Sequence, residues 1–406
     1  MDNNIIVGLD IGTTKVCAVV AEKRSNELEI IGLGSHPSVG LRKGEVINIE
    51  ETVASIKKAV EEAGIMAGCN ISAVYTGIAG GHIKSFDSCG IIPLKNKEVT
   101  RKDIENVLET AKTVPIPMDQ EIIHTITQDF ILDGHGGINA PLGMSGVRLE
   151  ANVHIVTGSV VSAQNIIKCV NDAGLDVCDI VLESLASSEA VLSDEDRQLG
   201  TAMIDFGGGT TDMIVFSNGA INHSSVLALG GDNLTYDIAV GLKTPIPEAE
   251  KIKIEYGCGL SSMITKDETI EVSGIGGHKS RVLPRRILGD ILEPRVEEIF
   301  SIIYKDILIA KCENLIKSGV IITGGSAELP GIVEVAEQVF NTPVSIGYPK
   351  GISGLSDIVN KPMYSTAVGL VIYGIKQNKK NGFRIKDKNI FYHIMSAMKG
   401  WFREVV

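Results

Sequence analysis

Residues 8–20 read GLDIGTTKVCAVV, and residues 203–216 read MIDFGGGTTDMIVF. Each is an apolar strand carrying an aspartate, Asp10 or Asp205, then a glycine-rich turn with two threonines, then a second apolar strand. The pattern predicts two β-hairpins. In such a turn Gly12, or Gly207, Gly208 and Gly209, lets backbone N–H groups approach oxygen atoms with no Cβ in the way. Thr13, Thr14, Thr210 and Thr211 add hydroxyl donors at the same place. A single copy is open to a plain reading as a glycine-rich hairpin; two copies with Asp, Gly, Thr and Thr in register argue for a shared purpose. The repeat predicts two similar halves whose hairpins face each other and clamp one triphosphate. Asp10 and Asp205 meet phosphate favourably only through a cation, and hydrated Mg²⁺, which keeps its waters and accepts carboxylates outside them, fits that place.

Three weaker signals surround the pair. VIITGGSAELPGI, residues 320–332, puts Gly324, Gly325 and Ser326 after a buried strand at the mouth of a helix, where bare backbone lies flat against an adenine ring. An ordinary strand–turn–helix junction is the alternative. In PEAEKIKIEYG, residues 247–257, Glu250 and Lys253 are three apart and share a helix face. They are placed to reach a ribose hydroxyl and a base edge, or form a solvated pair. In LGGDNLT, residues 229–235, Gly230 and Gly231 offer a further phosphate approach or a plain turn.

The 406 residues exceed one ordinary core and predict two or more domains. Helix and strand patterns alternate along most of the chain, which argues for an α/β architecture. A net charge of −12 argues against a general nucleic-acid binder. Seven cysteines with no C-x-x-C spacing read as free thiols in a reducing compartment. The start MDNNIIVG lacks the basic and apolar regions of a signal peptide. The apolar run AVGLVIYGI, residues 367–375, falls far short of the ~18 residues of a spanning helix.

The last stretch, NIFYHIMSAMKGWFREVV at residues 389–406, holds the single tryptophan. On a helical wheel Ile390, Phe391, Ile394, Met395, Met398, Trp401, Phe402 and Val405 form one stripe. A short helix with large apolar anchors and basic neighbours lies in a membrane interface without crossing it. The preceding polar stretch 376–388 adds Lys376, Lys379, Lys380, Arg384, Lys386 and Lys388, each worth ~1 kcal/mol near an anionic leaflet. A helix docked on the protein's own surface is the alternative.

The order hairpin, connecting segment, hairpin, GGSA turn resembles the actin-like ATPase superfamily of actins, DnaK-type chaperones and sugar kinases. PLGMSGVRLEANVHIVTG, residues 141–158, and the tail narrow the resemblance to the bacterial cell-division FtsA family, over essentially the whole chain. The resemblance implies a two-domain actin-like α/β ATPase fold carrying an FtsA-type subdomain 1C in place of actin subdomain 1B. Residues 84–164 match that insertion. Residues 1–83 and 165–197 are then subdomain 1A, 198–243 and 313–375 subdomain 2A, 244–312 subdomain 2B, 376–388 a basic linker, and 389–406 a membrane-targeting helix.

It further implies ATP with Mg²⁺ in the interdomain cleft. Asp10, Gly12, Thr13 and Thr14 match the first phosphate loop, Asp205, Gly207, Gly208, Gly209, Thr210 and Thr211 the second. Gly324, Gly325 and Ser326 match the adenosine turn, and Glu250 and Lys253 adenosine contacts. Lys15 stands where the chaperone pattern has a different residue. Glu183, in LESLASSEA, occupies the place of a catalytic glutamate in the chaperones, where actin has a glutamine; a local cap or ion pair is the alternative. At most slow hydrolysis is implied. The implied partners are the C-terminal peptide of the tubulin-like protein FtsZ at 244–312, other division proteins at 84–164, further copies of the chain in filaments, and the cytoplasmic face of the cell membrane at the division site. The related pilus-assembly adaptor PilM and other actin-fold ATPases are the runners-up. A kinase would need a general base and a substrate pocket, and a chaperone a second domain after the ATPase.

Overall fold

The computed structural model describes residues 5–24, 27–274 and 279–380. The first hairpin forms as its pattern predicts. β1 (Ile5–Ile11) and β2 (Lys15–Arg24) pair antiparallel with Asp10 opposite Cys17, and β3 (Glu27–Pro37) continues the meander. A small hairpin, β4 (Leu41–Arg42) and β5 (Glu45–Val46), leads into α1 (Ile49–Ala67). Helix α1 starts where the Asn48 side chain accepts the Glu51 N–H, with Glu50 and Glu51 at the positive end of the helix dipole. It stops at Gly68, whose φ of 64° closes the last turn. Its buried stripe, including Thr52, Ile56, Ala59 and Ala63, lies on β2 and β3. β6 (Ala73–Ile78) then joins β1 in parallel.

An inserted unit follows: β7 (Lys84–Pro93), α2 (Arg101–Lys112), β8 (Gln120–Leu132), β9 (His135–Ile138) and β10 (Arg148–Ser159). Its four strands form a separate antiparallel sheet in the order β7-β10-β8-β9. Leu94, Val99, Val107, Phe130, Leu149 and Ala151 give it a small core of its own under α2. The sheet ends at Ser159, ahead of the expected boundary at 164. The next helix, α3 (Val160–Asp172), already packs on α1 of the first half. β11 (Asp176–Leu182), α4 (Glu183–Val191) and α5 (Asp194–Leu199) complete that half.

The second half opens with β12 (Thr201–Phe206), β13 (Thr211–Ser217) and β14 (Ala220–Leu227), followed by α6 (Gly231–Leu242) and α7 (Ile246–Tyr256). A two-stranded ribbon, β15 (Thr269–Val272) and β16 (Arg281–Pro284), leads to α8 (Arg286–Ile309). Then come β17 (Val320–Thr323), α9 (Ile332–Phe340) and β18 (Val344–Ile346). The chain returns to the first sheet through β19 (Ser353–Gly354), α10 (Ser356–Val359) and α11 (Ser365–Lys380), so the end of the stretch expected as subdomain 2A, 313–375, packs on β1, β6 and α4 of the first half instead.

The repeat seen in the sequence is a repeat of topology. The large sheets run β11-β6-β1-β2-β3-β19 and β14-β13-β12-β17-β18. In each, an antiparallel three-strand meander is extended on its first strand by two parallel strands. Every residue of β12 and β13 is buried, as is every residue of β1 after Ile5. Two main cores result, one under each sheet, with Leu9, Val19, Ile56 and Leu182 in the first and Phe206, Leu292, Phe300 and Ile322 in the second.

The stretch after β17 runs through a turn into a helix: Gly325–Glu328 make one 3₁₀ turn, and α9 begins at Ile332. Pro330 has no N–H to offer a helix, and Gly331 takes a φ of 83°, so the chain must turn before α9 starts. Helix α11 runs on through Lys380, past the expected linker start at 376, and the Lys376 amine pairs there with Glu189. The remainder of the expected linker, and the expected membrane helix 389–406, lie outside the described residues.

Candidate functional site

The two hairpin turns are built alike. The Gly12 N–H donates to the Lys15 carbonyl at 3.0 Å, and the Gly207 N–H to the Thr210 carbonyl at 3.0 Å. The turns also meet. A Cβ on Gly208 would lie 2.4 Å from Thr14 Cγ2, and one on Gly209 2.2 Å from Thr13 Oγ1. Only glycine permits this approach, so the predicted face-to-face arrangement rests on the residues that predicted it. The β4–β5 turn joins the contact: the Gly44 N–H donates to Thr13 Oγ1 at 3.1 Å, and Gly44 also lies against Thr210.

Behind the turns four carboxylates gather, and one of them, Asp10, pairs with Lys15. Asp10, Asp205 and Asp212 are 6%, 7% and 2% exposed. The Lys15 amine lies 3.2 Å from Asp10 Oδ2 and 5.4 Å from the centre of the Tyr364 ring. Burial works against the Lys15 ammonium, but Asp10 and its neighbours outweigh it and hold the amine above the ordinary lysine range. Glu183, the first residue of α4, packs against Gly77 of β6. Burial, and after it the charges of Asp10, Asp212 and Asp205, push its carboxyl well above the usual glutamate range. Burial and then Asp205 push Asp212 up in the same way. Asp205 is raised by burial against the pull of hydrogen bonds from Ser187 and Thr366.

Asp212 was not among the residues singled out from the sequence. It sits opposite Asp205 in the second hairpin, where the first hairpin sets Cys17 opposite Asp10. Aligning the two repeats shows that extra carboxylate. Ser187 and Thr366, which hold Asp205, carry no motif and were missed for that reason.

The expected adenosine side also converges. Lys253 and Glu250 pair at 2.7 Å, Thr235 donates to Glu250, and the Lys253 amine donates to Thr235 Oγ1 at 2.8 Å and to the Gly231 carbonyl at 3.0 Å. The Ser326 hydroxyl donates to the Gly207 carbonyl at 3.0 Å, which ties this turn to the second hairpin. Gly324 lies over Asp205, where a Cβ would come within 2.4 Å of Oδ1. A hollow of about 470 Å³ lined by Ala327, Pro330, Ile346 and Tyr348 among others opens further along the chain, and none of Gly324, Gly325, Ser326, Glu250 and Lys253 lines it. The backbone donors of Gly230 and Gly231 are taken up within the protein. The Gly230 N–H donates to Asn233 Oδ1 and the Gly231 N–H to the Gly207 carbonyl, each at 3.0 Å. In this structure the pair brings α6 against the second hairpin and leaves neither N–H for a phosphate.

The donor set fits a hydrated divalent cation. Asp212 Oδ1 is buried with no hydrogen-bond partner, and Asp205 and Asp10 lie close enough to raise its carboxyl. Among the described residues no three His, Cys, Asp or Glu side chains converge closely enough to hold a metal directly.

The chain is similar to curated proteins over nearly its full length. It is 48% identical over 405 residues to the cell division protein FtsA of Pseudomonas aeruginosa, covering 98% of this chain and 97% of that one. The chain belongs to the FtsA family. The Escherichia coli FtsA is 39% identical over 99% of this chain and 98% of its own, and the Bacillus subtilis FtsA 36% over 96% and 88%. The family model described as cell division protein FtsA matches residues 202–369, and that of the SHS2 domain inserted in FtsA matches 80–157, the inserted four-stranded unit.

Among solved structures, the PilM-PilN type IV pilus biogenesis complex aligns with a TM-score of 0.66 at 17% identity, covering 91% of this chain and 98% of that one. MreB5 of Spiroplasma citri bound to ADP aligns with a TM-score of 0.56 at 16% identity, covering 94% and 100%. These likenesses establish the actin-like fold. FtsA membership, and with it the cell-division class, rests on the curated relatives.

Proposed function

We propose that this FtsA-family chain is an ATP-binding, polymerising adaptor that tethers FtsZ filaments to the cytoplasmic membrane at the division site. The observation that carries the nucleotide part is the meeting of the two Asp-Gly-Thr-Thr turns across the boundary of the two halves, Gly208 and Gly209 against Thr14 and Thr13. The contact is closed in this structure, and turns so placed reach the phosphates of one nucleotide from both sides once the two halves part there. Asp10 and Asp205, with Asp212 beside them, would hold hydrated Mg²⁺, which would supply neutralisation of phosphate charge. Gly324, Gly325, Ser326, Glu250 and Lys253 face the adenosine. Glu183 positions the attacking water in at most slow hydrolysis.

The remaining roles follow from family membership and the sequence. Residues 244–312 take the FtsZ C-terminal peptide, and the inserted unit at 84–164 takes other division proteins. The stripe from Ile390 to Val405 lies in the membrane interface. One such helix binds reversibly, and a filament presenting many copies turns weak attachment into strong attachment.

Co-sedimentation with anionic vesicles tests the whole reading. The intact chain with Mg-ATP should sediment with vesicles. A chain ending at Lys388 should stay in solution, and Asp205→Ala should lose ATP binding by calorimetry and, with it, the ATP-dependent gain in sedimentation. Equal sedimentation of the intact and shortened chains would remove the membrane assignment, and undiminished ATP affinity of Asp205→Ala the nucleotide assignment.

A further inference from the structure

Asp205 is held from the other half of the molecule. It sits on β12 of the second half, yet both of its side-chain hydrogen bonds come from helices packed on the first. The Ser187 hydroxyl, from α4, donates to Asp205 Oδ2, and the Thr366 hydroxyl, from α11, donates to the same oxygen at 3.0 Å. The two hydroxyls lie 3.0 Å from each other. Ser187, Thr366 and Asp205 are all buried, so both donors reach the carboxylate from within the packed interior. A serine inside a helix ordinarily returns its single proton to the carbonyl four residues back. That acceptor, the Glu183 carbonyl, is also in reach at 3.0 Å, so Ser187 serves Asp205 in competition with its own helix.

We infer that Ser187 and Thr366 are positioning residues for the cation that accompanies the nucleotide. By fixing Oδ2 they set the rotation of the carboxylate and leave Oδ1, the oxygen beneath Gly324, as the one free to meet a metal-bound water. A carboxylate free to rotate presents that oxygen only part of the time, and a preorganised one binds without the ordering loss. The inference rests on the nucleotide reading above and adds to it: the metal-dependent share of nucleotide affinity is governed by two hydroxyls that touch neither metal nor nucleotide. The same bonds cross the boundary between the halves, so a well-placed Asp205 requires α4 to stay seated on β12 and α11 on α4.

Calorimetric titration of the full chain with ATP, once in excess Mg²⁺ and once in EDTA, tests this. Thr366→Val keeps the side-chain shape and removes the donor. It should weaken ATP binding in Mg²⁺ roughly tenfold, the scale of one hydrogen bond to a charged group, and leave the affinity in EDTA unchanged. Thr366→Ser keeps the hydroxyl and should bind like the parent in both buffers. Ser187→Ala is the second variant, with the same expectation, and thermal unfolding identifies any variant that does not fold. Equal losses in Mg²⁺ and EDTA would reduce both residues to a packing role and overturn the inference, as would full Mg-ATP affinity in either donorless variant. Failure of the parent chain to bind ATP in both buffers is a separate result, which would remove the nucleotide reading and this inference with it.

Discussion

Glu183 shows how much a single position depends on its surroundings. In the sequence it is one acid in a mostly apolar stretch, with a water-positioning role or a local pair equally open. In the structure burial and the charges of Asp10, Asp212 and Asp205 hold its carboxyl well above the ordinary value of 4.5. A carboxyl raised on folding binds its proton more tightly in the native state. Its contribution to stability is therefore full below the unfolded value and is lost as pH rises through the native one. Glu183→Gln removes that loss. Without nucleotide or metal it should unfold at a higher temperature than the parent at pH 7, with the difference closing as the pH falls towards 4.5. Thermal unfolding across pH 4.5–8 measures this; a gap that stays constant with pH would assign Glu183 no titration in that range. The neighbouring Asp212 was legible in principle, since the second repeat has an acid where the first has Cys17. Ser187 and Thr366 were not, because a hydroxyl acquires its role only from the acceptor that folding brings to it.

At the scale of elements, some segments end on a local signal. Asn48 and Gly68 bound α1 by capping chemistry that four or five residues specify. The crossing of α11 over α4 has no such local signal, and it decides how the hairpins are backed. Gly369 sits so close to α4 that a Cβ there would lie 1.8 Å from the Ala186 carbonyl oxygen and 3.1 Å from the Ser187 N. The two helices cannot separate without disturbing Ser187 and Thr366, which flank this contact. Gly369→Val forces in three carbons where there is room for none. It should destabilise the protein by about 3 kcal/mol, the upper range for overpacking, as measured by urea unfolding. A loss below about 1 kcal/mol would mean that the helices part easily and that their contact does not set the position of Asp205.

The whole molecule is also held together at a place the sequence did not mark. The inserted sheet docks on β14, the edge strand of the second half, through buried polar contacts. His154 Nδ1 lies 2.8 Å from Asp87 Oδ1, and Nε2 lies 2.9 Å from Ser224 Oγ on β14. Ser85 donates to the Ser224 carbonyl at 2.6 Å, and Gln128 to the Ile221 carbonyl at 2.9 Å. These bonds cap an edge strand that would otherwise show unpaired backbone groups. His154 is 1% exposed, so His154→Ala leaves both a cavity and an unpaired Ser224 hydroxyl. The expected cost is about 3 kcal/mol. Hydrogen exchange should rise in β14 and in the facing β7 and β10 while β17 and α9 remain protected. Uniform exchange across both halves would instead show that the inserted unit does not open on its own.

Taken alone, the sequence determined the two hairpins, their aspartates and the two-half architecture. Those features follow from strand periodicity, from glycines at turns and from a repeat, all of which are local or compare one stretch with another. The inserted unit at 84–164 came from the family resemblance of its residues and not from their periodicity. Only the tertiary structure decided which groups from distant parts of the chain meet: Ser187 and Thr366 on Asp205, Asp212 within the acidic cluster, His154 on Ser224, and Gly230 and Gly231 against the second hairpin instead of open to phosphate. The physical reason is range. A turn or a cap is specified by neighbours along the chain, whereas a buried hydrogen bond between residues 161 positions apart, as for Asp205 and Thr366, exists only once the packing of two helices on a strand has excluded water from it.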